Sequence, residues 1–225
     1  MIVAVHQPQY LPWLGYFEKI ARADRFVLLD IVQYKKNEFQ NRNKIKTSQG
    51  WQWLTVPARY KFPMTIDEVT INNDINWRNK HWQAILSNYA KTPYFKDYKT
   101  PIENLFHTEW HRLSDVNRAT IDLITTAFGI TTPIDDPSSW DLSDDPTGRL
   151  VDICKHLNAD TYLAGAGGHD YMDLEQFDRA GIQVKFQSFT HPTYPQHFGD
   201  FEPYMSAIDL LFNAGPKSQD VLLNT

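Results

Sequence analysis

The chain has 225 residues, of which 42% are hydrophobic and 22% are charged, and its net charge is −5. This composition is ordinary for a globular protein, and the length is sufficient to bury a core. The acidic balance argues against a general nucleic-acid-binding protein, which needs a basic face. A single cysteine, Cys154, excludes an intrachain disulfide. No signal peptide and no apolar run of membrane-spanning length are recognisable, so we expect a cytoplasmic protein without a membrane span.

The start of the chain predicts a strand, a turn, a helix and a second strand. Ile2 to Val5 is rich in β-prone residues, and a polar turn with Pro8 and Pro12 follows it. Residues 15–23 have the apolar spacing of a helix, and residues 25–33 form a second apolar run. Such a run suits a parallel strand that is covered on both faces, so the segment predicts a βαβ unit.

The middle of the chain predicts a polar loop, short strands and then helices. In order, these are a loop over 34–48, strands over 51–57 and 69–71, and helices over 77–89, 94–107 and 111–127. The helices are expected to form a subdomain at about 75–128.

The last part of the chain returns to alternating strands and helices. It predicts strands near 130–134, 161–164 and 182–186, and helices over 145–157, 171–177 and 204–212. The complete order predicts an α/β protein: a three-layer sandwich with a mostly parallel, nucleotidyltransferase-like or Rossmann-like sheet and a helical insertion. We expect one domain over residues 1–225.

The first candidate site is the turn after the first strand. Ligands of open parallel sheets bind beyond the carboxyl ends of the strands. The turn and the adjacent helix supply His6, Gln7, Gln9, Tyr10, Trp13, Tyr16 and Lys19, and the end of the second strand supplies Asp30 and Gln33. His6 is the candidate general base, because an unperturbed histidine titrates near neutral pH, and Tyr16 and Asp30 are further catalytic candidates.

Three other segments carry candidate binding residues. The polar loop offers Lys35, Asn41, Arg42, Asn43 and Lys44, which either clamp a phosphate or carboxylate or form a solvated loop. Two further segments are the glycine-rich turn at 165–168, with Gly167 and Gly168, and an aromatic loop with His191, Tyr194 and Gln196. The turn matches no standard phosphate-loop motif, and no metal-ligand spacing is present, so no metal site is predicted.

Four blocks of sequence resemble the WbqC-like family over nearly the whole chain. They are V-H-Q-P-Q-Y-L-P-W-L-G-Y-F-E-K-I at the start, F-Q-N-R-N-K-I at 39–45, L-A-G-A-G-G-H-D-Y-M at 163–172, and H-P-T-Y-P-Q with L-L-F-N-A-G between 191 and 215. Members of this family occur in bacterial gene clusters for O-antigen, the polysaccharide of lipopolysaccharide, and for other surface polysaccharides. The resemblance therefore implies a part in making or decorating an activated sugar.

The opening also resembles, more faintly, the nucleotidylyltransferase and pantothenate-synthetase-like fold. That fold begins with a strand, a turn ending in H-x-G-H, a helix and a second strand. Trp13 and Tyr16 would occupy the two histidine positions here, and Gly15 keeps its place. The histidines of that fold stabilise phosphate charge during attack on the α-phosphorus. Because tryptophan and tyrosine supply no imidazolium, His6, Tyr16 or the 35–44 loop would have to substitute, or the pocket would bind its ligand without cleaving it.

Together these features predict a transferase that acts on an activated sugar or amino sugar, by acyl or aminoacyl transfer that forms an amide. The alternatives are a non-catalytic ligand-binding or scaffold protein and a nucleotidyltransferase with altered H-x-G-H residues. The expected partners are a nucleotide sugar and an amino acid or acyl donor, with ATP or the nucleotide sugar as the candidate nucleotide ligand. No nucleic-acid partner is expected, and a homo-oligomer stays open.

Overall fold

The computed structural model describes residues 1–170 and 172–224. The strands in this part of the chain are β1 Ile2–His6, β2 Arg25–Leu28, β3 Arg42–Thr47, β4 Gly50–Thr55, β5 Ala58–Arg59, β6 Thr70–Ile71, β7 Ile134–Asp135, β8 Thr161–Ala164 and β9 Gln183–Phe186. The α-helices are α1 Leu14–Ala21, α2 Trp77–Tyr89, α3 Phe95–His107, α4 Leu113–Ala127, α5 Pro146–His156, α6 Leu174–Arg179, α7 Ile208–Ala214 and α8 Ser218–Leu223. Short 3₁₀ helices lie at Ile66–Glu68, Ala166–Asp170 and Gly215–Lys217.

Five strands form one sheet in the order β7-β2-β1-β8-β9, and every neighbouring pair is parallel. Counted within this sheet, the order is 3-2-1-4-5, which is the order of the first five strands of a Rossmann sheet. The predicted α/β class is confirmed. The first strand of the chain is the central strand, and Val3, Ala4 and Val5 are buried because both faces of the sheet are covered.

Helices cover the two faces of the sheet with separate apolar cores. On one face, Phe17 and Ile20 of α1 pack in a large core that also holds the helices of the insertion. On the other face, Ile153 of α5 and Phe177 of α6 belong to a second core with Val5 of the central strand. This layering leaves the carboxyl edge of the sheet open between the two helical layers, where polar residues can collect.

The helical insertion has the three helices that its apolar spacing predicts. The Trp82 ring of α2 stacks at 6.3 Å from Phe106 of α3, and Phe95 of α3 lies 5.1 Å from Phe212 of α7. Phe128, which caps α4, lies 5.6 Å from Phe17 of α1. Ring contacts therefore join the insertion to the core under the sheet. Among the described residues, no helix has the length and apolar character needed to cross a membrane.

Several predicted element boundaries are wrong. The second strand ends at Leu28 and not at 33, because Asp30 and Val32 accept hydrogen bonds from the segment 66–67 instead of a sheet neighbour. The strand expected near 130–134 is only the pair Ile134–Asp135. The last predicted helix begins at Ile208, because Ser206 instead donates its amide to Lys44 and bridges to Trp13.

The polar loop predicted over 34–48 contains a strand. Residues 42–47 pair with 50–55 in an antiparallel hairpin, so β3 begins inside the region that its Lys and Asn content suggested would be irregular. The helix predicted over 171–177 starts at Leu174, where the Asp173 side chain accepts from the Glu175 amide, and Tyr171 lies outside the described residues. These differences leave the α/β class unchanged.

Candidate functional site

A cleft lies beyond the carboxyl ends of β1 and β8, the two central strands. The chain continues from β1 through α1 to β2 on one side, and from β8 through α6 to β9 on the other. The strand order therefore switches between β1 and β8, and ligands of open α/β sheets bind at such points. The cleft has two adjoining lobes of about 600 Å³ and about 280 Å³. Both volumes are in the range of small-molecule sites or slightly below it.

The larger lobe, here called the cationic lobe, is lined by three cationic side chains and by no carboxylate among the described residues. The cations are Lys19, Lys35 and Arg149. This excess is notable in a chain with a net charge of −5. Because cations without nearby carboxylates attract an anion, the lobe is suited to phosphate or carboxylate groups.

The smaller lobe, here called the aromatic lobe, is walled by Trp13, Tyr16 and Phe189. It shares His6, Lys19, Gly165 and Gly167 with the cationic lobe. The two lobes therefore meet at one histidine, one lysine and the glycine-rich turn. Aromatic walls favour the flat face of a base or the apolar face of a sugar ring.

His6 is held as a neutral imidazole at this junction. Its Nδ1 lies 2.9 Å from the Gln7 carbonyl oxygen, which can only accept, so Nδ1 carries the proton and Nε2 keeps its lone pair. Its ring packs edge-on against Tyr16, with the centroids 4.8 Å apart. Burial lowers the pKa of His6 from 6.5 to about 4, the charge of Lys19 lowers it further, and the Gln7 hydrogen bond opposes the shift. Nε2 is therefore available to accept a proton at neutral pH.

Lys19 is a buried cation without an ion-pair partner among the described residues. Its side chain is 3% exposed, and Nζ donates to the Val5 carbonyl oxygen at 2.9 Å. Burial lowers the pKa of Lys19 from 10.5 to about 8. A Cβ built on Gly165 would lie 3.9 Å from Nζ, which places the ammonium group against the turn that closes the cleft. An anion bound here would supply the missing counter-charge.

The glycine-rich turn has one glycine that packing requires and one that faces open space. Gly168 donates its amide to the Gly165 carbonyl at 2.9 Å, and an added Cβ there would lie 2.9 Å from Met172 Sδ. At Gly167, an added Cβ would meet no atom within 4 Å. Gly168 therefore allows the turn to pack on the sheet, and Gly167 leaves room for a ligand to approach the backbone.

Trp13 lies directly on Gly15 at the wall of the aromatic lobe. A Cβ on Gly15 would come within 2.3 Å of Trp13 Cη2, so a residue larger than glycine would displace the indole. The indole also contacts Phe189 and Tyr204, with ring centroids 5.5 and 5.8 Å away. The G in the W-L-G-Y sequence thus fixes the position of one wall of the lobe.

The family model for the WbqC-like protein family matches residues 7–221. The chain belongs to this family. It is also similar to the uncharacterized protein Rv1507c of Mycobacterium tuberculosis (strain ATCC 25618 / H37Rv), with 37% identity over 224 residues, which cover 98% of this chain and 96% of that relative. No solved structure matches the chain.

The cleft of this WbqC-like protein brings together many of the residues selected from the sequence. They come from the opening turn, from α1, from the segment after β2 and from the glycine-rich turn: His6, Gln7, Trp13, Tyr16, Lys19, Gln33, Lys35, Gly167 and Gly168. Gln7 is tied to the segment after β2, because its Oε1 accepts from Gln40 Nε2 at 2.7 Å while Gln40 Oε1 accepts from the Lys35 amide.

Other selected residues are buried elsewhere in the fold and do not line the cleft. Tyr10 is buried, and its hydroxyl lies 2.8 Å from His81 Nδ1. Asn43 Nδ2 donates to the Leu11 carbonyl at 2.7 Å, and Asn41 Nδ2 donates to the Val56 carbonyl at 3.0 Å. Gln9 is also buried, at 8% exposure.

The two hairpin cations selected from the sequence stand away from the cleft lining. The Arg42 guanidinium lies 4.2 Å from the centroid of the Trp53 ring, and Lys44 Nζ lies 4.2 Å from that of Trp51. Asp30, at the end of β2, is partly buried and does not line either lobe. Burial raises its pKa from 3.8 to about 6, and the charges of Asp136 and Asp67 add to this rise.

The aromatic-loop residues also lie outside both lobes. Tyr194 and Gln196 donate to Asp209, each at 2.9 Å. Both ring nitrogens of His191 have backbone partners, since Nδ1 lies 2.9 Å from the Pro192 carbonyl and Nε2 accepts from the Tyr204 amide at 3.1 Å. Among the described residues, no group of three His, Cys, Asp or Glu side chains could hold a metal ion.

The sequence analysis missed Arg149, Gln187 and Phe189, which line the cleft of this WbqC-like protein. Arg149 is fixed by hydrogen bonds from its guanidinium to the carbonyls of residues 143 and 144, at 3.1 and 3.2 Å. Gln187 donates to the Gly15 carbonyl at 2.8 Å. Gln187 directly follows a predicted strand, and Phe189 lies two residues further on. His6 was selected because ligands bind beyond the carboxyl ends of parallel strands, and the same rule, here called the strand-end rule, could also have selected these two residues.

Proposed function

We propose that this WbqC-like protein is a transferase of bacterial surface-polysaccharide (O-antigen) biosynthesis that acts on a phosphate-bearing activated amino sugar. The observation that supports this most is the cationic lobe. This lobe lies where the strand order of the parallel sheet switches, and among the described residues it is lined by three cations and by no carboxylate, although the chain as a whole is acidic. A nucleotide sugar is the ligand class that combines several phosphate charges with rings for the aromatic lobe.

The two lobes divide the ligand by chemistry. The phosphates lie against Lys19, Lys35 and Arg149. Trp13 and Tyr16 form the wall against which a sugar or base ring stacks. The reacting group then sits at the junction, next to His6. This arrangement supplies positioning by the phosphate groups and chemistry at the only shared histidine of the two lobes.

The proposed step is amide formation at the sugar amine. The amine nitrogen attacks the carbonyl carbon of an acyl or aminoacyl donor, and a C–N bond forms while the bond to the leaving group breaks. His6 Nε2 accepts the proton that the amine loses and returns it to the leaving group. The charge of Lys19 stabilises the oxyanion that develops on the carbonyl. A bound phosphate offsets the effect of Lys19 on His6 and so raises the pKa of His6 toward the working pH.

The test is His6→Asn, which keeps a side-chain amide donor for the Gln7 carbonyl. UDP-, dTDP-, GDP- and CMP-linked amino sugars are incubated with acyl-coenzyme A, or with amino acids and ATP, and amide products are measured by mass spectrometry. We expect turnover by the wild type, and a kcat lower by about 100-fold or more in His6→Asn with little change in sugar-nucleotide affinity. The matched control is His107→Asn, at an exposed position in α3. An unchanged kcat in His6→Asn would remove His6 from the chemistry.

A nucleotidyltransferase is the second candidate, favoured by the β1–α1–β2 opening and by the position of Trp13, Gly15 and Tyr16 in the aromatic lobe. Its chemistry would release pyrophosphate from a nucleoside triphosphate. Pyrophosphate release without amide formation would favour this candidate. Tight binding of the sugar nucleotide with neither product would favour the non-catalytic, ligand-binding alternative.

A further inference from the structure

The β3–β4 hairpin has an open edge along β4. The two strands are antiparallel, and Val56 donates its amide to the Asn41 carbonyl at 2.8 Å, which sets the phase of the ladder. Hydrogen-bonded pairs alternate in such a ladder, so Leu54 and Gln52 bond to β3. Trp51 and Trp53 then direct their backbone N–H and C=O groups to the opposite edge. Within the described chain, no hydrogen bond to these backbone groups is found.

The same alternation applies to β3, where a backbone N–H that points away from β4 is hydrogen-bonded. Lys46 faces Trp51 across the hairpin, and its amide donates to the Tyr89 hydroxyl at 2.9 Å. At one end of the β4 edge, the His81 ring of α2 approaches the Thr55 backbone and lies 2.8 Å from the Tyr10 hydroxyl. Other elements of the fold therefore contact the backbone next to Trp51 and Trp53 and leave those two residues open.

A groove of about 550 Å³ runs along this open edge. One wall is the strand itself, from Gln52 to Thr55, and the other is the face of α2 that carries Trp77, His81 and Ala84. Ile75, two residues before α2, is 43% exposed. A groove that binds an extended strand combines two features, unpaired backbone groups and apolar walls. The backbone groups provide affinity through hydrogen bonds, and pockets in the walls select the side chains of the strand.

The charge around the groove is positive. Lys80 lines it, and no carboxylate does so among the described residues. On the outer face of the hairpin, Arg42 lies over Trp53, and Lys44 lies 4.2 Å from Trp51 and 5.3 Å from Trp53. None of these three cations has an ion-pair partner within the described chain. An occupant with carboxylate side chains would complement them.

We propose that this groove binds an extended, acidic segment of a partner polypeptide, which adds as a third strand to the edge of β4. Trp51 and Trp53 each exchange hydrogen bonds with a residue of the incoming segment. Its side chains on one face meet the wall formed by α2, and its carboxylates meet Lys80, Arg42 and Lys44. A second copy of the hairpin is a poorer occupant, because it would bring the same cations together and would have to enter beside α2.

The experiment uses a phage-displayed library of random ten-residue peptides, selected on the full-length protein. The consensus peptide is then synthesised, and amide hydrogen exchange is measured by NMR with and without it. In the free protein, we expect the amides of Trp51 and Trp53 to exchange much faster than those of Gln52 and Leu54. The peptide is expected to be acidic and to protect Trp51 and Trp53 selectively.

Two variants separate the backbone contact from the indole. Trp53→Pro removes the outward N–H, which the hairpin does not use, and proline is tolerated at a strand edge. Trp53→Val removes the indole and keeps the N–H. We expect affinity for the peptide to be about tenfold lower in the proline variant than in the valine variant.

Four outcomes would overturn the proposal. They are the selection of no peptide, peptides without an acidic excess, binding that leaves the exchange of Trp51 and Trp53 unchanged, and equal affinities of the two variants. Protection that rises with protein concentration in the absence of peptide would assign the edge to a second copy instead. The exchange measurement is made on the wild type, so it decides the matter even if the proline variant fails to fold.

Discussion

Two buried charged side chains of this protein, Asp209 and Lys19, stand in opposite situations. Asp209 is fully buried in α7 and accepts three hydrogen bonds, from the Tyr89 and Tyr194 hydroxyls at 2.8 and 2.9 Å and from Gln196 at 2.9 Å. Lys19 is 3% exposed and has one hydrogen bond to a carbonyl, with no carboxylate partner among the described residues.

The difference separates a structural cluster from a candidate binding site. A buried polar network that is complete fixes neighbouring segments, and the Asp209 cluster fastens the aromatic loop and α2 to α7. A buried charge whose partner is missing costs free energy, and such a cost is found where a ligand supplies the partner. We therefore expect a bound anion to complete the cationic lobe around Lys19.

The largest expected effect is a loss of stability when Asp209 is removed from its hydrogen-bonded cluster. Asp209→Leu leaves two buried hydroxyls without an acceptor and removes one of the acceptors of the Gln196 amide, so we expect the free energy of unfolding to fall by about 4 kcal/mol, as measured by urea denaturation. Tyr194→Phe, which removes one donor and leaves Asp209 with two, should cost about 1 kcal/mol. Equal losses in the two variants would contradict the view that Asp209 organises the cluster.

The next effect comes from removing the incomplete charge. Lys19→Met should weaken binding of UDP by about 100-fold, equivalent to about 2.7 kcal/mol, because a desolvated cation is lost from the lobe. The free energy of unfolding should stay the same or rise by about 1 kcal/mol, since a buried unpaired charge is removed. Isothermal titration calorimetry and urea denaturation measure the two quantities, with the exposed Lys96→Met as control. A loss of stability with unchanged affinity would make Lys19 a structural residue like Asp209.

The smallest effect concerns pH. The pKa of His6 is about 4 in the folded protein and 6.5 in the unfolded chain, so between these values the unfolded chain binds more protons. The free energy of unfolding should therefore decrease as the pH falls from 6.5 to 4. Between pH 6.5 and 5, as measured by urea denaturation, His6→Asn should reduce this decrease by about 1 to 2 kcal/mol, and the exposed His107→Asn should not. His81, whose pKa is also about 4, would account for the decrease that persists.

The sheet was predictable because its strands are simple. Apolar runs mark β1, β2 and β8, and the helices between the strands predict that the strands run parallel. The hairpin strand β3 was not predictable from the same rules. Its outward residues Arg42 and Lys44 lie over tryptophans of the neighbouring strand, and its inward Asn43 is buried through a bond to the Leu11 carbonyl. Because both faces of β3 carry polar residues, the sequence of this strand is typical of a loop.

The candidate site was predictable as far as one rule applies, namely that ligands bind beyond the carboxyl ends of parallel strands. That rule selects His6 and, through the adjoining turn and helix, Trp13 and Lys19, which the cleft brings together. It does not distinguish Arg42 from Arg149, since each follows a strand in the sequence. Tertiary packing decides between them: the hairpin turns Arg42 onto Trp53, while α5 brings Arg149 back to the cationic lobe.

The central position of β1 has a consequence for synthesis. β1 leaves the ribosome before both of its sheet neighbours, and β2 follows it closely in the chain, but its other neighbour, β8, lies more than 150 residues later. The glycine-rich wall of the cleft follows β8 directly. A growing or interrupted chain that lacks residues 161–168 therefore has His6 and Lys19 but no second wall to hold a ligand against them. Because a ligand stabilises only the state that binds it, its stabilising effect in the cell would reach completed chains and leave truncated ones open to proteolysis.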